Sequence, residues 1–203
     1  MSFIYKIFIT IPIIFLLPAC GGGDDPPPDT IQVSITVSNL PTQVTINKAT
    51  TPDGIVEYSW GVTFDMNNDG LINAGDISLR LMHFKPPGGV EVNMNVDSLA
   101  ADLWLYTSAT RTESQFPIDL FVSGNTITLS VDRSALAELQ GINESTMVYF
   151  QTSYHDAGRG SSVYDYHPAA RTYVNIPMNG LFTDASADVG FDFIDMVEME
   201  IFL

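Results

Sequence analysis

A strict alternation of apolar and polar residues constrains this chain more than any other feature. Residues 31–38 place a branched apolar side chain at every second position, and residues 90–97 and 197–203 follow the same period. Side chains two residues apart share one face of a β-strand, whereas a helix repeats every 3.6 residues. The alternation therefore predicts strands that each bury one face in a core.

Turn signals divide the chain into about ten such short strands. Residues 118–122 and 126–131 flank a Ser-Gly-Asn turn and predict a hairpin, while residues 134–140, followed by Gly141, predict one or two helical turns. The predicted fold class is all-β, an antiparallel β-sandwich with a short helix. The pattern loosely resembles the jelly-roll sandwiches of carbohydrate-binding and related extracellular domains.

The motif with the most definite chemistry lies in residues 65–76, which read DMNNDGLINAGD. Oxygen donors stand at alternating positions, Gly70 allows a sharp turn, and the predicted metal ligands are Asp65, Asn67, Asp69, Leu71 (through its carbonyl), Asn73 and Asp76. The spacing resembles the calcium loop of EF-hand and dockerin proteins. An Asp at the last position and two Asn ligands favour weak binding of a structural Ca²⁺, in the range of about 10⁻⁴–10⁻³ M. The alternative is an Asn/Asp/Gly turn that holds no metal.

The residues beside this loop decide how far the resemblance extends. Residues 56–64 alternate as a strand that runs into Asp65. Residues 77–81 also alternate, which favours a second strand, although the short run over residues 77–84 also fits a helix. A dockerin carries two such loops, each followed by a helix, and this sequence has one clean loop. A dockerin-like protein-assembly element is therefore the weaker alternative.

The start of the chain predicts where the protein is located. Residues 1–19 form an apolar signal peptide with one lysine, and they end in Leu-Pro-Ala before Cys20, which resembles the lipobox of bacterial lipoproteins. The resemblance implies lipidation of Cys20 and, because Gly21 and not Asp follows it, a lipid anchor in the outer membrane facing the periplasm or the outside. Residues 20–29 are rich in Gly, Asp and Pro and predict a tether, and the length of residues 30–203 predicts a single domain. The alternative, an uncleaved membrane span, is interrupted by Pro12 and Pro18.

Composition limits the partners. The chain has 24 acidic against 8 basic residues, a formal net charge of −16, and Cys20 is its single cysteine. Such a charge repels nucleic acid and attracts divalent cations, and one cysteine excludes an internal disulfide. No nucleophile elbow, zinc-protease motif or phosphate loop is present, so the chain is predicted not to be an enzyme.

Two further regions hold candidate sites. Residues 149–173 form a long polar and aromatic stretch, and residues 154–173 are interpreted as a loop. Tyr154, Tyr164 and Tyr166 are candidates for stacking on a glycan, the alternative being tyrosines that only cover the end of the sandwich. Acidic residues recur at spacings of three to four at Asp184, Asp188, Asp192 and Asp195. They are candidates for a second cation site, but a solvated acidic loop is favoured. The predicted function is a membrane-anchored, calcium-binding and non-catalytic binding or structural module, with a glycan or a protein as possible partner.

Overall fold

A computed structural model describes residues 29–40, 43–45, 56–84, 91–93, 100–156, 160–169, 172–185, 188–192 and 194–203. The predicted signal peptide, Cys20 and nearly all of the tether lie outside these residues. In the part of the chain that is described, no helix has the length and apolar character needed to cross a bilayer.

The described chain is almost entirely antiparallel β-structure. Its strands are β1 (Thr30–Val37), β2 (Gln43–Thr45), β3 (Val56–Asp65), β4 (Ile77–Phe84), β5 (Glu91–Asn93), β6 (Ala100–Ser108), β7 (Arg111–Ser123), β8 (Thr126–Asp132), β9 (Met147–Asp156), β10 (Ser161–His167), β11 (Val174–Asn175), β12 (Leu181–Thr183) and β13 (Met196–Phe202). Ten of them form one continuous sheet in the order β10-β9-β3-β4-β6-β7-β8-β1-β13-β12, β11 pairs with β9, and β2 pairs with β5. The predicted all-β, antiparallel, sandwich-like fold is confirmed.

The long strand β7 joins the two halves of the sheet. Its first residues pair with β6 and its last with β8, and two register shifts interrupt the β6 pairing. Register shifts of this kind bend a strand and increase its twist. The sheet can therefore curl at β7 and remain one continuous sheet.

The two ends of the curled sheet meet at residues 194–196, and we call this contact the seam. The backbone N–H of Met196 donates to Oδ2 of Asp165 on β10 over 2.7 Å. The hydroxyl of Thr152 on β9 donates to the carbonyl of Ile194. Two polar contacts thus connect β9 and β10 to the start of β13.

The core confirms the alternation that the sequence predicts. On β1, the side chains of Ile31, Val33, Ile35 and Val37 are buried, and the residues between them are partly exposed. The last strand departs from the prediction at its start, because a register shift opposite Val37 buries Met196 in place of Val197. One extra residue in a strand reverses the face of every residue before it.

Strand β3 lies between β4 and β9, and its residues 58–65 are buried on both faces of the sheet. Its apolar residues, led by Trp60, face the core, and the small residues Ser59, Gly61 and Thr63 cover the opposite face. Only a residue without a Cβ fits at Gly61, since a Cβ there would lie 2.5 Å from the Leu79 carbonyl oxygen and 2.7 Å from Cγ of Arg80.

Gly61→Ala should therefore destabilise the domain. The added carbon meets a backbone oxygen that cannot move without distorting β4, and overpacking of this kind costs about 1–3 kcal/mol. Denaturant unfolding compares this variant with Gly190→Ala, whose added Cβ meets nothing within 4 Å. Equal stabilities for the two variants would contradict the close packing at Gly61.

Most of these local predictions are confirmed. Strands β7 and β8 form the predicted hairpin, and β3 and β4 flank the 65–76 loop as strands. The predicted helical turns are 3₁₀ turns, Arg133–Ala135 and Ala137–Gly141. The predicted loop over residues 154–173 is wrong, because β9 continues to Asp156 and β10 (Ser161–His167) pairs with it as a hairpin. The helix that a dockerin-like element needs after Asp76 is also not there, since β4 occupies that position.

Candidate metal centre

The 65–76 loop connects two neighbouring strands and closes back on itself. β3 ends at Asp65 and β4 begins directly after Asp76. The backbone takes positive φ at Asn68 (56°), Gly70 (76°) and Gly75 (101°), a conformation that Gly and Asn adopt most readily. The turn-forming residues of the motif therefore occupy the positions where the chain reverses.

Side-chain oxygens of the predicted ligands accept hydrogen bonds from backbone N–H groups within the loop. Oδ2 of Asp65 accepts the N–H of Gly70 at 2.7 Å, Oδ1 of Asn67 accepts the N–H of Asp69 at 3.1 Å, and Oδ1 of Asp69 accepts the N–H of Leu71 at 2.8 Å. These short-range bonds are the means by which Asp and Asn hold a turn. They fix the side chains of the first, third and fifth ligand positions.

Asp65 is the most unusual residue of the loop. Its side chain is 0% exposed, yet its Oδ1 atom is buried and has no hydrogen-bond partner among the described residues. A buried carboxylate oxygen without a donor loses its hydration and gains nothing in return. A cation at Oδ1 would supply the missing partner.

Asp76 holds the other end of the loop. It is 1% exposed, its Oδ1 accepts the N–H of Met66 at 3.1 Å, and its Oδ2 accepts the N–H of Asn73 at 3.0 Å and the hydroxyl of Tyr173 at 3.3 Å. Burial is the main cause that raises the pKa of Asp76, and the nearby charge of Asp65 adds to it. Two carboxylate oxygens offer about four lone pairs, so three hydrogen bonds leave capacity for an ion.

Two amides fill the middle of the loop. The Nδ2 groups of Asn67 and Asn73 donate to Oδ2 of Asp69, at 3.1 Å and 2.8 Å. The three loop carboxylates are not among the described acidic groups whose oxygens converge within 4.8 Å. Oδ1 of Asn67 accepts the N–H of Asp69, and Oδ1 of Asn73 accepts Nδ2 of Asn67 at 3.3 Å, so each amide oxygen has one lone pair left for an ion.

The loop is also attached to the body of the domain. Oδ1 of Asn68 accepts the N–H of Met147 on β9 at 2.9 Å, and Tyr106 on β6 exchanges backbone bonds of 2.9 Å with Gly75 and Asp76. The motif did not single out Asn68, since its position supplies no ligand. Its positive φ and its partner 79 residues away become visible only in the fold.

A second group of carboxylates lies at the seam. Asp165, Asp188 and Asp195 bring oxygens to within 4.8 Å of one another. Asp195 is 1% exposed and Asp165 is 4% exposed, so the predicted solvated acidic loop is wrong for Asp195. Asp184 lies 3.4 Å from Nδ1 of His167, and Asp192 is exposed and outside the group.

The seam carboxylates influence one another's protonation. Burial, followed by the charges of Asp188, Asp184 and Asp195, raises the pKa of Asp165 to about 6. The pKa of Asp188 is also raised, first by desolvation and then by Asp184. The sequence spacing did not group Asp165 with these residues, because Asp165 lies on β10, whereas Asp184, Asp188 and Asp195 lie between β12 and β13.

The three tyrosines of the predicted glycan site do not lie together. Tyr154 packs on the core side, with its ring 5.2 Å from Tyr58 and 5.5 Å from Phe191. Tyr164 and Tyr166 stack on each other at 5.7 Å and line a separate cleft on the outer face. Tyr154 pairs with Val163, and successive residues of a strand point to opposite faces of the sheet. Tyr154 therefore faces away from Tyr164 and Tyr166, and a site that uses all three tyrosines is wrong.

Comparison of the chain with protein-family models, with curated proteins and with solved structures gives no match. The function is therefore inferred from the geometry of the chain itself.

Proposed function

We propose that the 65–76 loop binds one Ca²⁺ ion that stabilises the connection between β3 and β4. The ligands would be side-chain oxygens of Asp65, Asn67, Asp69, Asn73 and Asp76 and the carbonyl of Leu71. The ion supplies positive charge where three carboxylates stand within twelve residues. It has no catalytic role in this proposal.

The observation that carries the proposal is the buried Oδ1 atom of Asp65 without a hydrogen-bond partner among the described residues. A turn held only by hydrogen bonds leaves this oxygen unpaired, whereas a bound cation supplies its partner. The N–H bonds to Asp65, Asn67 and Asp69 support the same conclusion, since they already constrain three ligand side chains. Oxygen-only donors favour Ca²⁺ over softer metals.

We also propose that the domain is a non-catalytic binding or structural module of a lipid-anchored envelope protein. The support is the sequence around Cys20, the acidic charge of −16 and the absence of a recognisable catalytic motif in the sequence. Mass-spectrometric detection of a lipidated Cys20 in the membrane fraction tests the anchor. An unmodified Cys20 in the purified membrane protein would contradict it.

Calorimetric titration of the full chain in detergent with Ca²⁺ tests the ion site. We expect one site with a dissociation constant of about 10⁻⁴–10⁻³ M. Mg²⁺ should bind more weakly, because it requires near-ideal octahedral geometry and gives up water reluctantly. No heat with Ca²⁺ at millimolar concentrations would make the loop an Asn/Asp/Gly turn.

A further inference from the structure

A polar cleft of about 230 Å³ opens on the outer face of the sheet, and none of its lining residues belongs to the 65–76 loop. It is lined by Arg80, Tyr106, Ala109, Thr110, Thr112, Gln151, Tyr164 and Tyr166. Pockets for drug-sized molecules measure about 300–1,000 Å³, so this cleft suits one small unit of a ligand.

The register of the sheet explains why the cleft forms there. Arg80 on β4, Gly61 on β3, Gln151 on β9 and Tyr166 on β10 lie in one row across four neighbouring strands. Gly61 has no side chain, and the Cγ atom of Arg80 would lie 2.7 Å from a Cβ at that position. The arginine can therefore lie over β3 and face the tyrosines on the far side of the row.

Arg80 is fixed in position with capacity left for a ligand. Its Nε–H donates to the Ser78 hydroxyl at 2.7 Å, and its Nη2 group donates to the hydroxyl of Tyr106. A guanidinium has five N–H donors, so these bonds leave three. In the described part of the chain, no carboxylate oxygen lies within 4.0 Å of this guanidinium, although Asp102 is its neighbour in register on β6.

The opposite wall offers aromatic rings and neutral polar groups. Tyr164 and Tyr166 are nearly parallel, with an interplanar angle of 9°, and the Tyr164 side chain is 45% exposed. The amide of Gln151 and the hydroxyls of Thr110 and Thr112 complete a lining rich in hydrogen-bonding groups. Ring faces beside such groups suit a ligand that has both C–H and hydroxyl surfaces.

We propose that this cleft binds a single carboxylated sugar unit, a uronic acid residue of an acidic glycan. The sugar carboxylate pairs with the free edge of Arg80, and its ring lies against the tyrosines. A fork of two N–H donors matches the two oxygens of a carboxylate. The net charge of −16 opposes any anion at long range, but a Debye length of about 8 Å at physiological salt screens distant charges more than the contacting arginine.

Calorimetry with the full chain in chelator tests this without involving Ca²⁺. The probes are methyl glucuronoside, its uncharged methyl ester, methyl glucoside and acetate. We expect the glucuronoside to bind at least about tenfold more tightly than the ester or the glucoside, as loss of a charge-assisted pair predicts. Acetate should be weaker still, because it lacks the ring. Equal binding of acid and ester, equal binding of acetate and glucuronoside, or no binding of the acid would each overturn the proposal.

Arg80→Gln should weaken glucuronoside binding at least about tenfold, while Arg111→Gln, an exposed arginine outside the cleft lining, should not change it. Gln151→Glu provides a second variant that is nearly isosteric. It places a carboxylate in the Arg80 row and should reduce binding to a similar extent. Thermal melting establishes that each variant is folded, and unchanged binding in either folded cleft variant would contradict the role of Arg80.

Discussion

Asp65→Asn is expected to abolish the calcium-dependent rise in melting temperature while changing stability little in chelator. The amide keeps an oxygen for the N–H of Gly70 and removes a buried charge whose Oδ1 atom has no partner in the described structure. It also removes a charged ligand from the loop. Asp65→Asn should therefore keep the stability that the wild type has in chelator and lose the stabilisation that Ca²⁺ adds.

The size of the wild-type response follows from the expected affinity. With a dissociation constant of about 10⁻⁴–10⁻³ M, about 10 mM Ca²⁺ stabilises the folded state by about 1.4–2.7 kcal/mol. For a domain of this size that is a rise of about 3–10 °C in melting temperature. Melting curves in Ca²⁺ and in EGTA measure it.

Asp119→Asn is the matched control, since Asp119 is an exposed carboxylate on β7, far in sequence from the loop. It should retain the full calcium response. A calcium response that persists in Asp65→Asn would place the stabilising ion outside the 65–76 loop. A response that disappears equally in Asp119→Asn would show that Ca²⁺ acts without a specific site.

Asp165→Asn is expected to stabilise the protein at neutral pH. Burial, with the neighbouring carboxylates, raises the pKa of Asp165 from 3.8 to about 6. The folded state then binds the proton more tightly than the unfolded state, so stability is greatest below about pH 4 for this group and is lost as pH rises through about 6. The two pKa values correspond to at most about 3 kcal/mol at neutral pH. The neutral amide should recover part of this while still accepting the N–H of Met196.

Denaturant unfolding at pH 5 and pH 7.5 measures the effect as a difference between wild type and variant. The wild type should lose more stability than Asp165→Asn as pH rises, and Asp192→Asn, an exposed residue of the same acidic segment, should behave like the wild type. Because Asp76 and Asp188 also have raised pKa values, only the difference between chains reports on Asp165. A lower stability of Asp165→Asn at pH 7.5 would contradict an uncompensated carboxylate at the seam.

Local pattern was sufficient to predict the half-buried strands with apolar alternation and the turn residues of the 65–76 loop. Alternation fixes which residues of β1 and β3 face the core, because the strand period is set by the backbone and not by distant contacts. Likewise the 65–76 loop is held by bonds between residues two to five apart, such as Gly70 to Asp65. Both the strand alternation and the short-range loop bonds can therefore be predicted from the spacing of residues in the sequence.

Contacts between distant strands could not be read in this way. Asp165 reaches Asp195 only because the sheet curls until its ends meet, and no spacing along the chain indicates that. Strand β10 was missed because Ser, Tyr, Asp and His dominate it, so it lacks the apolar alternation of a half-buried strand. The cleft at Arg80 depends on the register of four strands and was equally hidden.

Amide chemical shifts followed by NMR during a Ca²⁺ titration test the central claim most directly, since they show where the ion binds. If the account is right, the shifts saturate as one site and the largest lie within residues 65–76, including Gly70, whose N–H bonds Asp65. Largest shifts at Asp165, Asp188 and Asp195 would place the ion at the seam carboxylates instead. That result, or the absence of any saturating shift, would contradict a calcium site in the 65–76 loop.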